Sequence, residues 1–371
     1  MNSLINEDLF PPGEFIRDEL DARNWTQEDL AIILGRPLKT VNQIISAKKQ
    51  ITPQTAQELA AAFGTSAELW VNLEGAYRLA SERREQGSVS RRARLYELAP
   101  VKDMIRRRWI SECHGVEALE GGVLAFFQIS SLDEEPQLTA AARKAAGHAT
   151  MTPAQRAWLF RAKRLACVLQ VKRYSKSALE QHLAPLHALT VMEEEIRQVP
   201  QVLAQMGIRL VVVEPLPRTK IDGATFWLDS RSPVIVLSLR YDRIDGFWHT
   251  LIHELSHIRH QDGVALDDEL VGASRQAGSD DKERRADREA SEFLIPPEKL
   301  DSFIARVGPR FSKRRIIQFA NLHQIHPGIV VGQLQHRGAI KYSHSREMLV
   351  GVRGIVTEST LTDGWGIHPG I

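Results

Sequence analysis

Cysteine is nearly missing from this 371-residue chain, which has only Cys113 and Cys167. Two thiols build no disulfide framework, so the fold must rest on burial, as suits a reducing cytosol. No run approaches the roughly 18 uninterrupted apolar residues that mark a membrane span. The opening MNSLINEDLFPPG has neither the basic start nor the apolar stretch of a secretory signal. Net charge is also nearly absent: 48 basic against 46 acidic residues leave +2, so no overall field advertises a polyanionic partner. Secreted, collagen-like, disordered and membrane classes are excluded, and a cytoplasmic protein is expected. The remaining composition, 43% apolar and 25% charged, suits a globular chain of two or three domains.

The small net charge hides local asymmetry. Residues 1–80 carry 7 basic and 11 acidic side chains, residues 83–108 carry 9 and 3, and residues 143–176 carry 9 and none. The last segment is either a solvated or self-associating basic helix or, less simply, a nucleic-acid surface. The start predicts five short helices: Gly13–Arg23, Thr26–Leu34, Leu38–Ser46, Thr52–Phe63 and Ala67–Arg84. Thr26 supplies a cap and Gly64 a stop. Residues 86–92 (QGSVSRR) predict a linker, and 93–200 a helical middle broken near Gly121-Gly122, Asp133–Pro136, Gly147–Pro153 and Pro185. Ile208–Val213 and Pro233–Leu239 predict strands. Helices follow at Gly246–His260, Asp281–Leu294 and Ser312–His323, with a polar loop at 261–281. The expected fold class is mainly α with a small β-sheet (α+β). The predicted divisions are 1–85, 86–200, 201–345 and an unassigned tail, 346–371.

Two patterns carry chemistry. In the first, Gly35 permits a tight turn between two helices, and Pro37 suits the start of the second. Val41, Ile44 and Ile45 face inward there, leaving Leu38, Lys39, Thr40, Asn42 and Gln43 outward. Asn and Gln can read adenine in the major groove, and Lys can reach guanine. Gln27 and Lys48 are placed for phosphates. On spacing alone, a small bundle that binds another protein is the competing reading.

The second pattern is His253-Glu254-Leu255-Ser256-His257. At about 100° per residue, the two histidines lie within about 40° of each other on one helix face. They can share one Zn²⁺, with Glu254 beside them as a base. A catalytic zinc needs a third protein ligand. Glu283, Glu289 and Glu292 compete for it, with Glu283 preferred because Asp287, one turn on, could hold the spare N–H of a ligand histidine.

Around residues 10–80, the runs Trp25-Thr26-Gln27-Glu28-Asp29-Leu30-Ala31 and Phe63-Gly64-Thr65-Ser66…Trp70-Asn72-Leu73 resemble the HigA antitoxin branch of the Cro/C1-type (XRE) helix-turn-helix domains. The resemblance implies a five-helix DNA-binding bundle, a double-stranded operator and a homodimer. Ala47 stands where that family usually has Gly. Around residues 200–340, Ile221-Asp222-Gly223-Ala224, Phe247–His260 and Phe293-Leu294-Ile295-Pro296 resemble the ImmA/IrrE zinc metallopeptidases. That resemblance implies a zincin-like domain, His253, His257 and Glu283 as ligands, and Glu254 as catalytic base. Ser256 replaces the usual Gly, and Asp287 a frequent Asn. Together the resemblances imply a DNA-binding regulator with a zinc endopeptidase acting on a regulatory protein partner. The competing reading is a non-enzymatic antitoxin that binds a toxin and uses zinc structurally or as a sensor.

Overall fold

The computed structural model describes residues 10–113, 115–138, 151–263, 265–268 and 277–370. Two compact units emerge, Met1–Ala93 and Arg94–Ile371. The first contains α1 (Pro12–Arg23), α2 (Gln27–Ile33), α3 (Leu38–Ile45), α4 (Pro53–Phe63) and most of α5 (Ala67–Leu98). Thr26 caps α2 in a reciprocal box with Asp29, as expected from the sequence. Leu30, Val41, Ile44, Ile45, Leu59 and Trp70 are buried together in its core. The predicted linker at 86–92 is instead helical, because α5 continues to Leu98. Without a proline, one glycine and two serines do not stop a helix flanked by Glu, Arg, Ala and Leu.

In the second unit, α6 (Val101–Arg106), α7 (Val116–Phe127), α8 (Pro153–Val168), α9 (Lys176–Ala188) and α10 (Val199–Met206) precede the first strand. The expected breaks at Gly121-Gly122 and Pro185 do not occur; α7 and α9 run through them. The strands are β1 (Arg209–Val213), β2 (Ile221–Trp227) and β3 (Pro233–Leu237). Then come α11 (Ile244–His260), β4 (Ala265–Asp268), α12 (Ala277–Leu294), α13 (Pro297–Val307), α14 (Lys313–His323), α15 (Pro327–His336), α16 (Arg353–Ser359) and β5 (Leu361–Asp363). Part of the predicted 261–281 loop is thus strand β4, and residues 269–276 lie outside the described ones. The tail left unassigned from sequence supplies α16 and β5.

The sheet order is β4-β2-β3-β1-β5. β1 pairs in parallel with β3 and β5, while β2 runs antiparallel to β3 and β4. Side chains alternate faces along a strand. Leu210, Val212, Ile235 and Leu237 therefore pack with α10, α11 and the later helices. Val211, Val213, Val234 and Val236 pack with α6, α7 and α8 on the other face. Covering both faces explains why β1 and β3 read as unbroken apolar runs.

Buried polar contacts bind the α8 layer to the sheet. Arg161 Nε lies 2.5 Å from Asp363 Oδ2, and both side chains are almost fully buried. Trp109 also donates to Asp363, and Trp158 donates to the Val213 carbonyl at 2.9 Å. Lys163 and Arg164 lie over the rings of Phe160 and Phe126. The described part of the basic 143–176 segment thus spends these cations on packing. Among the described residues no helix is long and apolar enough to cross a membrane.

Candidate functional site

Helix α11 carries the H-E-x-x-H pattern because it is amphipathic at a period of 3.6 residues. Phe247, Leu251, Leu255 and Ile258 are buried in the core and fix its rotation. His253 and His257 then face α12. His253 Nε2 lies 3.1 Å from His257 Nε2 and 3.1 Å from Glu283 Oε2, and His257 Nε2 lies 3.6 Å from that oxygen. A tetrahedral zinc with legs of about 2.0–2.1 Å requires ligand atoms about 3.3 Å apart. The three atoms therefore already stand at the spacing of one tetrahedral face, and they could hold such an ion.

The other ring nitrogens are held as well. His253 Nδ1 is 2.9 Å from Asp287 Oδ1, and His257 Nδ1 is 3.0 Å from Asp262 Oδ2. Each carboxylate accepts an Nδ1–H and so turns the Nε2 lone pair toward the shared centre. Asp262 is itself gripped by Arg285. Sequence reading had foreseen Asp287 but not Asp262. The available signal was an acid in the turn just after a histidine-bearing helix.

Glu289, a rival third ligand by sequence, is engaged elsewhere: it accepts from Ser256 at 2.8 Å and meets His260 at 2.7 Å. The unusual Ser256 hydroxyl thereby ties α11 to α12. Glu292 is exposed on α12.

Without a bound cation these charges hold one another. Burial works against a charged His257, but hydrogen bonds to Asp262 and Glu283 raise its pKa to about 9. Burial would raise Glu283, yet bonds to His253 and His257 bring it down to about 2. His249, one turn before His253, is pushed down to about 4 by burial and by the neighbouring His253. It is neutral near pH 7.

Glu254 is fully buried. Gly223 on β2 leaves the space it occupies: a Cβ there would lie 2.8 Å from Glu254 Oε1 and 2.8 Å from Thr250 Cγ2. Beside them opens a cleft of about 400 Å³, lined by His249 and Thr250 of α11, Asp287 of α12, and His336 and Tyr342 beyond. Its inner wall is apolar, with Leu239, Phe247 and Ile329. Of the histidines outside α11, His326 caps α15 and faces Glu193, and His323 packs on Phe319.

In the first unit, Gln27, Leu38, Lys39, Asn42 and Lys48 are exposed, while Thr40 and Gln43 are half-buried. Gly35 takes φ +61° in the turn between α2 and α3. Ala47 is forced to φ +57°, a left-handed conformation that costs a non-glycine residue about 1–2 kcal/mol. Its carbonyl accepts from Arg78 at 3.1 Å, and the Lys48 and Lys49 amides both close onto Gln43.

Residues 16–70 match the helix-turn-helix family, and residues 204–309 match the IrrE N-terminal-like domain. Over 84 residues, 23% of this chain and 88% of the relative, the sequence is 32% identical to an uncharacterized HTH-type transcriptional regulator, YddM, of Escherichia coli. An addiction module antidote protein of the HigA family from Coxiella burnetii is 34% identical over 21% of this chain and 86% of its own, with a TM-score of 0.20. The chain belongs to the HTH-type transcriptional regulators and carries an IrrE N-terminal-like domain in its second unit.

Proposed function

We propose that this regulator binds double-stranded DNA through α3, as a homodimer, and hydrolyses a peptide bond in a regulatory protein partner. The observation that carries the second half is the convergence of His253, His257 and Glu283 at tetrahedral spacing, each histidine backed by a carboxylate. Zinc held there supplies Lewis acidity toward a carbonyl and a water at neutral pH. Glu254, next to His253 in sequence and sheltered by Gly223, takes the proton of the attacking water and delivers it to the leaving amine. His249, neutral near pH 7, lines the cleft beside the centre. The cleft beside α11 accepts an apolar side chain of the substrate against Leu239, Phe247 and Ile329.

In the DNA-binding half, α3 presents Leu38, Lys39, Thr40, Asn42 and Gln43 to base edges. Gln27 and Lys48 hold phosphates on either side. Cytoplasmic placement follows from this DNA partner.

Zinc per chain tests the centre: about one in the wild type and far less in Glu283→Ala. Glu254→Gln is expected to keep the zinc and to lose roughly a thousandfold in cleavage of a partner protein. If Glu254→Gln preserves every cellular phenotype while His253→Ala abolishes them, the zinc is structural or sensory and the chain acts as a non-enzymatic antitoxin.

A further inference from the structure

The stretch from residue 302 to residue 346 contains eight Lys and Arg residues and no Asp or Glu. In the chain's other acid-free basic stretch, 143–176, Arg161, Lys163 and Arg164 are engaged in packing. Arg310, Lys313, Arg314, Arg315, Lys341 and Arg346 are all exposed. Lys313 meets Glu347 at 3.6 Å, across two well-exposed side chains. Among the described residues the other five have no carboxylate partner.

Two of these cations, Arg310 and Lys341, line one groove, and the others flank it in sequence. A groove of about 630 Å³ is lined by Arg310 and Ser312 on one side and by Lys341, His344 and Ser345 on the other, with Phe311 and Ile340 between. The contact between Lys313 and Glu347 places the first turn of α14 beside Arg346. That turn reads Lys313-Arg314-Arg315, three cations at the positive end of a helix dipole. Stability alone favours acids there. An external anion removes the conflict.

We propose that this groove is a second nucleic-acid site, which grips the phosphate backbone of duplex DNA. The assignment rests on the DNA-binding reading of α3. Six cations spread over a turn, a helix start and a facing segment suit a row of phosphates better than a single one. The charge balance of the chain points the same way. Residues 1–80 carry the helix-turn-helix yet are net −4, and the whole first unit is net −2, so that unit alone attracts DNA weakly. Backbone contacts supply most of the salt-dependent affinity of a DNA-binding protein. Besides Lys39, Lys48 and Lys49 near α3, residues 310–346 gather five exposed cations with no carboxylate partner among the described residues.

The test uses the full chain and a random-sequence 25-base-pair duplex, followed by fluorescence anisotropy across a salt series. The substitutions Arg310→Ala, Arg314→Ala, Arg315→Ala and Lys341→Ala, made together, are expected to make the slope of log affinity against log salt shallower by about 3. The melting temperature stays equal or rises, because α14 loses charges its dipole opposes. The same comparison in a Lys39→Ala, Asn42→Ala background separates the two sites. A groove effect that persists there supports the proposal even if the background substitutions change nothing, which would instead count against α3. An unchanged slope in both backgrounds overturns the groove. So does displacement of the duplex by a polyglutamate peptide at equal charge concentration, which would assign the groove to an acidic protein segment.

Discussion

The two units hold their candidate chemistry in opposite ways. In Met1–Ala93 the candidate DNA-contacting residues sit on the outside of a bundle whose core is made of other residues. In Arg94–Ile371 the candidate catalytic group is the core: His253, Glu254 and His257 are as buried as the leucines beside them. An exposed reading face can change without unfolding its scaffold. A buried polar centre cannot, because each group there depends on a partner to offset desolvation.

The sharpest test of this difference is Asp363→Ala. It strands Arg161 in the interior and is expected to cost about 3–5 kcal/mol of the second unit's stability, read by chemical denaturation. A cost below about 1 kcal/mol would show that the α8 layer is held by apolar packing alone. Next in size is Asp262→Asn, which loosens His257. Zinc affinity is expected to fall about 10- to 100-fold, measured by competition with a chelator, while helix content holds.

Asn42→Ala, on the exposed face, is expected to weaken operator binding by about 1–3 kcal/mol with no shift in melting temperature. A stability loss there would blur the contrast between the units.

A further effect concerns pH in metal-stripped protein. The His257 pKa is raised from 6.5 to about 9 in the fold. Its charged form therefore adds stability fully below pH 6.5, and that contribution fades as pH rises through 9. Melting temperature should decline across this window and flatten in His257→Asn.

What could be read from the chain follows the same divide. The H-E-x-x-H pair was legible because both histidines lie on one helix, where period alone sets their geometry. Glu283 was preferred over Glu289 and Glu292, but spacing could not show that Ser256 and His260 occupy Glu289. Asp262 was missed because its partnership is made by a left-handed turn at Gln261, just past the helix. β2 escaped notice because Asp222 and Gly223 interrupt its apolar run, and Gly223 is there to make room for Glu254. β5 has three residues and exists only through its pairing with β1. The role of α8 as a cover for the sheet was hidden because its basic residues suggest solvent, while Arg161 is buried against Asp363.

That last pairing sets an order in time. β1 is made when residue 213 is joined, yet β5, one of its two parallel neighbours, is not complete until residue 363. During synthesis α11, α12 and both halves of the cleft are translated while one edge of the sheet still lacks its strand and Arg161 still lacks its counter-ion. The first unit needs nothing beyond its own residues for its core and can form early. A nascent chain would therefore be able to form its helix-turn-helix unit before its second unit is finished.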